Sequence, residues 1–572
     1  MSFDSNNSRR RFLRLMGGTA VAGAAMALGG KALAHEGERA SRHGGHVSLR
    51  NFSHGVASGD PLQHRVIIWT RLSPIGRRGV VPVFWEVSVD RAFRHVIRGG
   101  VARTDASRDF TVKVDVTRLP AGRHFYYRFR SGRALSPVGM TRTLPRGAVD
   151  QVKLAVFSCA NYPAGFFHAY GEAARRNDIF ASVHLGDYIY EYGRGGYASE
   201  DAALLGREVD PEGEIVSLDD YRKRYAQYRS DPDCQALHAA MPMIAVWDDH
   251  EIANDTWKDG AENHNPQDGD FALRKAAAIR AYHEWLPTRV TDARRPERIY
   301  RSFDFGNLMS LHMLDTRVID RARQLDYANY LGAGGFNAAA FTADMADPTR
   351  ELLGAEQTGW LQQQLAASGA TWQVLGQQVL MGRMNIPAPV ALQSISFSDY
   401  TALVYKAQAA PETLTESERA ILAQPSIPYN LDAWDGYAVA REVVLGMARA
   451  MDKNLVVLAG DTHNAWASDL ADAAGTAVGV EFATSSVSSP GLEDYFPNED
   501  PSLVAAGLTQ LIGPLRYANT ADRGYMVLTA TPESCTAQWH YVSTVKAAAY
   551  DTFDGPVLQV LPGADNRRLI AA

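Results

Sequence analysis

The sequence predicts an α/β protein preceded by a small all-β unit, and three observations carry that expectation. The chain has 572 residues, too many for a single hydrophobic core, so at least two folding units are expected. Between residues 48 and 147, the short segments RVIIWTRL, VPVFWEVSVD, DFTVKVDV and HFYYRFR are rich in β-branched and aromatic residues. Gly, Pro and Asp separate them without helical periodicity, the pattern of a small antiparallel sandwich. From Val152 the pattern changes to near-continuous apolar runs that end in polar residues: VKLAVFSCAN, FASVHLGDYIYE, MIAVWDDHEIAND, LMSLHMLDTR, WQVLGQQVL and LVVLAGDTHNAW. Segments of helical composition such as FALRKAAAIRAYHEWL lie between them. Such runs suit strands covered on both faces, with helices outside the sheet.

The amino terminus reads as an export signal. SRRRFLRL (Ser8 to Leu15) joins arginines to Phe-Leu, the apolar Gly/Ala-rich run LMGGTAVAGAAMALGG follows, and Ala32-Leu33-Ala34 offers a cleavage site. That order resembles a twin-arginine signal over residues 1–34. The apolar run is shorter than the roughly 20 residues a spanning helix needs. The expectation is therefore periplasmic or secreted, with the twin-arginine machinery as a partner and no stable membrane span. A catalytic domain is expected over 150–545, with Asp320 to Ala450 carrying insertions and a lid. Residues 546–572 form a carboxyl-terminal segment that is a second candidate cover for the site.

Hydrophobic residues make up 46% and charged residues 21% of the chain, with a net charge of −6, which describes an ordinary globular protein. No basic tract points to nucleic acid. Three cysteines, Cys159, Cys234 and Cys535, leave one over even in an oxidising compartment. A Cys234–Cys535 bridge has no spacing argument behind it, and Cys159 sits among chemically useful neighbours.

In α/β sheets ligands gather at the carboxyl ends of strands. There the sequence places Cys159; Asp187 with Tyr190; Asp248, Asp249, His250 and Asn254; and Asp461 with His463. Crowding so many anionic groups at one rim is costly without cations, so a metal centre accounts for the composition. Asp461 and His463 are two apart and share a strand face. Gly186 and Gly460 each precede an aspartate, permitting a sharp turn and close backbone approach. From the residues alone, oxygen ligands suit calcium, manganese or magnesium, and thiolate with imidazole suits several transition metals. His54, His64, His184 and His312 read as structural histidines, and Arg317 in HMLDTR as a candidate bidentate phosphate holder whose bland alternative is a structural ion pair.

The four motifs FSCAN, HLGDYIYE, WDDHEIAND and GDTHNAW, in that order and after FSHGVASGDPLQHRVIIWTRLSP, resemble the PhoD-like alkaline phosphatases of the calcineurin-like metallophosphoesterase superfamily. The resemblance implies a four-layer αββα sandwich preceded by a small Ig/fibronectin-like all-β domain. It further implies Fe3+ held by Cys159 and Tyr190, with Asp187 bridging to Ca2+. Asp249 stands for a metal-binding Asn, with Asp248 able to exchange roles with it; His250 is the catalytic histidine, Asp461 and His463 form the last metal motif, and Asn254 is a candidate for a second calcium or for phosphate. The superfamily's usual first-motif Asp and His are here Ser158 and Cys159, which departs from an ordinary two-metal site.

The implied activity is hydrolysis of phosphate esters at alkaline pH for phosphate acquisition, acting on small monoesters or diesters, with a phospholipase D-like diesterase as the alternative on the same site. Bound metals would neutralise the phosphoryl oxygens and supply an activated oxygen for in-line attack, and His250 would stabilise the developing charge or protonate the leaving group. Two other classes compete. A cysteine-nucleophile hydrolase using Cys159 with His250 or His463 leaves the surplus carboxylates without a purpose. A non-catalytic binding protein gives the acidic strand ends no reason to line an open rim.

Overall fold

The computed structural model describes residues 52–73, 79–332, 335–392 and 394–572; the export signal expected over 1–34 lies outside them. Two large sheets organise the chain. The ten-stranded sheet runs, edge to edge, Ile570–Ala571, Thr552–Val560, Cys535–Val542, Arg523–Ala530, Val152–Phe157, Ala181–His184, Met243–Ala245, Val56–Leu62, Arg65–Arg71 and Thr111–Thr117. The seven-stranded sheet runs Arg301–Phe305, Met309–Met313, Trp372–Gly376, Leu455–Ala459, Ala477–Ala483, Ala465–Ala471 and Leu515–Asn519.

The near-continuous apolar runs are the central parallel strands of both sheets. Ala181–His184 pairs in parallel with Val152–Phe157 and with Met243–Ala245. In the other sheet Met309–Met313, Trp372–Gly376, Leu455–Ala459 and Ala477–Ala483 are successive parallel neighbours. Ala181–His184, Met309–Met313 and Leu455–Ala459 are buried at every position, which is why they read as unbroken hydrophobic stretches.

Inner-face residues of the two sheets, Leu154, Val156 and Leu528 from one and Val374, Leu458 and Phe482 from the other, share one core. A second core joins Leu375, Val457 and Val478 to the helices Gly354–Ala367 and Ala438–Ala450. The predicted helix FALRKAAAIRAYHEW forms as Phe271–Trp285, capped by the Asp270 side chain accepting from Ala272 N at 2.7 Å. Phe271, Arg274, Ala278, Tyr282 and Trp285 make its buried stripe.

Both ends of the described chain join the ten-stranded sheet. Residues 48–147, expected as a small antiparallel sandwich, pack two layers of strands around a core of their own, and one of those layers is continuous with the ten-stranded sheet. Val56–Leu62, Arg65–Arg71 and Thr111–Thr117 extend the ten-stranded sheet, joined to it where Gly59 pairs in parallel with Met243. The remaining strands form a five-stranded sheet, Val96–Thr104, Val81–Ser88, His124–Ser131 and Ala134–Leu135, with Gly139–Arg142 also on His124–Ser131. Val56, Val66, Ile68, Val81, Val83, Phe125 and Phe129 bury themselves between the two. An edge strand with free amides and carbonyls has been paired instead of left exposed. Residues 546–572, a second candidate cover for the site, supply the strands Thr552–Val560 and Ile570–Ala571 at the far edge of the same sheet, paired with Cys535–Val542 through Thr552–Val560. Thr552–Val560 is exposed or half-buried at every position except Val560, and Ile570–Ala571 is exposed, as suits the edge of a sheet. No helix among the described residues is long and apolar enough to cross a membrane.

A buried ion pair ties the early strands to the later chain. Asp60, 1% exposed, accepts from Arg301 Nε at 3.0 Å and Nη2 at 2.6 Å and from Arg289 N at 2.6 Å. Removing one partner leaves the other charge buried and unpaired, so Asp60→Ala is expected to destabilise the protein by about 3–5 kcal/mol. Arg175→Ala, which breaks an exposed pair with Glu172, is expected to change stability by less than about 1 kcal/mol. Urea unfolding midpoints of the two variants check the contrast.

Candidate active site and metal centre

The predicted site residues converge, with several held in strained backbone. Cys159 ends the Val152–Phe157 strand run, Asp187 follows Ala181–His184, and Asp461 and His463 follow Leu455–Ala459. All four have left-handed φ, at 59°, 54°, 59° and 63°, a conformation unfavourable for residues with a Cβ and concentrated at functional sites. The two Gly-Asp glycines do what their spacing suggested. A Cβ on Gly186 (φ 113°) would stand 2.4 Å from Asp248 N, and one on Gly460 would stand 2.7 Å from Ser158 Cβ. Gly186 therefore lies against the backbone of Asp248, and Gly460 against the Ser158 side chain. Main-chain bonds complete the contact, Cys159 N to Gly186 O at 3.2 Å and Ala160 N to Asp187 O at 2.9 Å. Gln378 links the two sheets' loops by donating to Trp247 O at 2.6 Å and Leu314 O at 3.0 Å.

Three overlapping groups of donor atoms result, each within 4.8 Å of one another: Cys159, Asp187 and His463; Asp187, Asp249 and His250; and Asp248, Asp249 and Asp461. Asp187 belongs to the first two and Asp249 to the last two, so the groups form a chain with shared carboxylates. Tyr190 joins the first, its hydroxyl 3.1 Å from Asp187 Oδ2 and 3.2 Å from His463 Nε2. His463 Nδ1 lies 2.8 Å from the Pro490 carbonyl, which can only accept. The proton is therefore assigned to Nδ1, and the Nε2 lone pair is presented to the site.

The donor set fits cations. Burial pushes the Asp187 carboxyl up to about 7, and Asp249 and Asp461 add to the rise. Burial followed by the Asp187 charge raises the Cys159 thiol well above its ordinary value, and the Tyr190 phenol rises for the same two reasons. Thiolate and phenolate forms there require a positive charge in place of the proton. Asp187 Oδ1 and Asp248 Oδ2 are buried without a hydrogen-bond partner, a costly condition that a cation relieves. Cys159, Tyr190 and His463 offer sulfur, phenolic oxygen and imidazole nitrogen suited to a transition metal. The carboxylates alone suit a hard cation such as calcium.

Arg317 is fully buried at the other side of the carboxylates. Its Nε meets Asp248, its Nη1 meets Asp432 at 2.7 Å, and its Nη2 is 3.0 Å from Asp461 and 3.6 Å from Asp249. Arg321 Nη2 adds a second contact to Asp432, at 2.5 Å. The guanidinium that the sequence offered as a phosphate holder is thus turned to aspartates on all three of its nitrogens. His250 Nδ1 lies 2.7 Å from Glu191 Oε2. Burial opposes its positive charge, but Glu191, Asp187 and Asp249 outweigh burial and raise its pKa well above the usual value. Asn254 stands beside this pair, giving its backbone N–H to Glu191 Oε1 at 2.8 Å and its side-chain amide to Glu262 at 2.9 Å.

Sequence reasoning missed four contributors. Glu191 and Glu251 directly follow Tyr190 and His250 inside the quoted motifs, and that adjacency was the available signal. Asp432, which meets Arg317, and Ser489, whose Oγ is 2.7 Å from Tyr190 OH, come from distant segments without a local signature. All three cysteines are free and buried, so Cys234 and Cys535 are not bridged. Cys234 Sγ instead meets Tyr188 OH at 3.1 Å. His184 is fully buried, with Nε2 2.7 Å from Tyr170 OH, a satisfied core histidine like His312, which lies between Ser302 and Gln373.

Comparison with known proteins shows the family. The PhoD-like phosphatase model matches residues 154–539, and the PhoD-like phosphatase N-terminal domain model matches residues 39–145. The chain belongs to the PhoD-like phosphatase family. It is 35% identical over 514 residues to alkaline phosphatase D of Bacillus subtilis (strain 168), covering 86% of this chain and 78% of that one. It also superimposes on a solved structure of PhoD with a TM-score of 0.74 at 32% identity, over 92% of this chain and 93% of that one. As a PhoD-like phosphatase it is a phosphoric ester hydrolase, and the non-catalytic reading falls away. The family's amino-terminal match covers the strands that the structure divides between the ten-stranded and five-stranded sheets.

If the Gly186–Asp248 contact sets the spacing of the acidic groups, Gly186→Ala must push the two loops apart. A displacement near 1 Å lowers kcat/KM on an aryl phosphate by about 100-fold. A wild-type value for that variant refutes the role given to the contact.

Proposed function

We propose that this phosphatase is a secreted, cation-dependent phosphoesterase that releases phosphate from small monoesters and diesters at alkaline pH, for phosphate acquisition. The single observation that carries the reading is the chain of three donor groups sharing Asp187 and Asp249, with orphaned carboxylate oxygens inside it. Cys159, Tyr190, Asp187 and His463 would hold Fe3+, and Asp187, Asp248, Asp249 and Asp461 would hold Ca2+, with Asn254 at the margin. Bound cations supply neutralisation of the phosphoryl oxygens and activation of water. Export through the twin-arginine route rests on Ser8 to Leu15 and the following apolar run. The four-layer αββα arrangement is supported by the core between the two sheets and by the helices packed on the outer face of the seven-stranded one. An Ig/fibronectin-like amino-terminal module is supported by the family match over 39–145.

The residues of the chain divide the remaining work. Glu191 holds Nδ1 of His250 and orients Nε2 as the donor to the leaving oxygen, a general-acid role. Arg317 offsets part of the charge of Asp248, Asp432 and Asp461, keeping the aspartates together and facing the reacting group. Its part with phosphate is electrostatic, exerted through those aspartates.

Elemental analysis of the purified protein tests the metal reading, alongside Cys159→Ala. Iron with calcium in the wild type, and loss of iron and activity in the variant, is the expected result; turnover by a metal-free wild type would refute it. His250→Ala is expected to lower kcat by about 100- to 10,000-fold for alkyl esters and much less for nitrophenyl esters, whose leaving group needs no proton. The acid form of His250 is present below its raised pKa and is lost as pH rises through it. Glu191→Gln removes a charge that raises this pKa, so the alkaline limb of the kcat profile moves to lower pH.

A further inference from the structure

We infer that Glu251 is a positioning residue that clasps the Asp187 loop to the Asp248–Asp249 loop and thereby sets the separation of the shared carboxylates. Its two oxygens collect three main-chain amides from the two loops. Oε2 accepts from Asp187 N at 3.0 Å and from Asp248 N at 2.7 Å, and Oε1 accepts from Tyr188 N. One side chain thus receives donors from both loops. The clasp closes where the loops already touch, at the Gly186–Asp248 backbone contact that leaves no room for a Cβ.

The choice of residue is physically telling. Glu251 is 1% exposed, and no arginine, lysine or histidine pairs with it among the described residues. A further buried negative charge beside Asp187, Asp248 and Asp249 is unfavourable by itself. Only a carboxylate, however, has two oxygens that accept without donating, and three converging N–H groups need such an acceptor. Glutamine puts an NH2 group against at least one amide. Aspartate retains the charge but is one methylene too short to reach both loops. The same negative charge adds to the field that favours cations in the neighbouring groups, as outer-sphere carboxylates do.

The inference rests on the cation-dependent reading of the site, so its test must separate the two. Wild type, Glu251→Gln and Glu251→Asp are compared for iron and calcium stoichiometry, for Tm in chelator and after reloading with Fe3+ and Ca2+, and for kcat and KM on a nitrophenyl phosphate. The expected result is about a 10- to 100-fold loss in metal affinity and kcat with little change in KM. The Tm gain on reloading shrinks, and excess metal partly restores kcat. If the variants lower Tm in chelator but keep the wild-type metal content, reloading gain and kcat, Glu251 is merely part of the core and the inference fails. Failure of both variants to fold assigns Glu251 to the core as well and overturns it. A wild type that takes up no metal yet turns over defeats the cation-dependent reading itself, and the inference with it. Metal-loaded wild type beside unaffected variants defeats the inference alone.

Discussion

The structure depends on one electrostatic problem, the concentration of aspartates between the carboxyl ends of two sheets. Against Asp187, Asp248, Asp249, Asp432 and Asp461 stand Arg317 and Arg321, with His250 beside Asp187 and Asp249. Burial alone raises Asp187 and Asp248 above their ordinary range, and their mutual repulsion raises them further. Such a cluster is stable in one of two ways: the carboxyls take up protons or they take up cations. For a chain whose family hydrolyses phosphoric esters, the second has an obvious use, because the substrate is itself anionic. On the proposed cation-dependent reading, the excess of negative charge on the protein is a means of holding positive charge where phosphate arrives.

The rest of the architecture serves that cluster. Parallel strands buried on both faces bring Cys159, Asp187 and Asp248 to one end of the ten-stranded sheet, while Asp461, His463 and Arg317 come from the seven-stranded sheet packed against it. Neither sheet holds the full set. Strained left-handed residues at Cys159, Asp187, Asp461 and His463 show how tightly the surrounding loops determine the geometry. Glycines 186 and 460 make the close approach sterically feasible, and Glu251, Glu191 and Gln378 tie the approaching segments by hydrogen bonds. Stability and function compete here, since each strained residue and each unpartnered carboxylate oxygen costs folding free energy that the large apolar cores offset.

The amino-terminal strands show how a unit with a core of its own can share a sheet with its neighbour. Composition changes sharply near Val152, from separated short β segments to buried parallel runs, so the segment 48–147 read as self-contained. In the fold, Val56–Leu62 lies next to Met243–Ala245 and the sheet continues across the change in composition. The Asp60–Arg301 pair then fixes the junction electrostatically. A similar lesson holds for the carboxyl terminus, where strands at the opposite edge of the same sheet occupy residues that are also a candidate cover.

Local sequence by itself determined the central strands, because full burial leaves an unbroken apolar run, and it determined which residues meet at the strand ends, because a Cys, two Gly-Asp pairs and an Asp-Asp-His triplet there have few structural uses. Whatever depends on distant segments arriving together was decided by the tertiary structure. Asp432 meets Arg317 across 115 residues, Pro490 settles the proton on His463 from 27 residues away, and Glu251 reaches the Asp187 loop 64 residues before it. Hydrogen bonds and ion pairs of that kind leave no periodicity in the chain, since their partners are set by how two sheets pack and not by neighbours along the backbone.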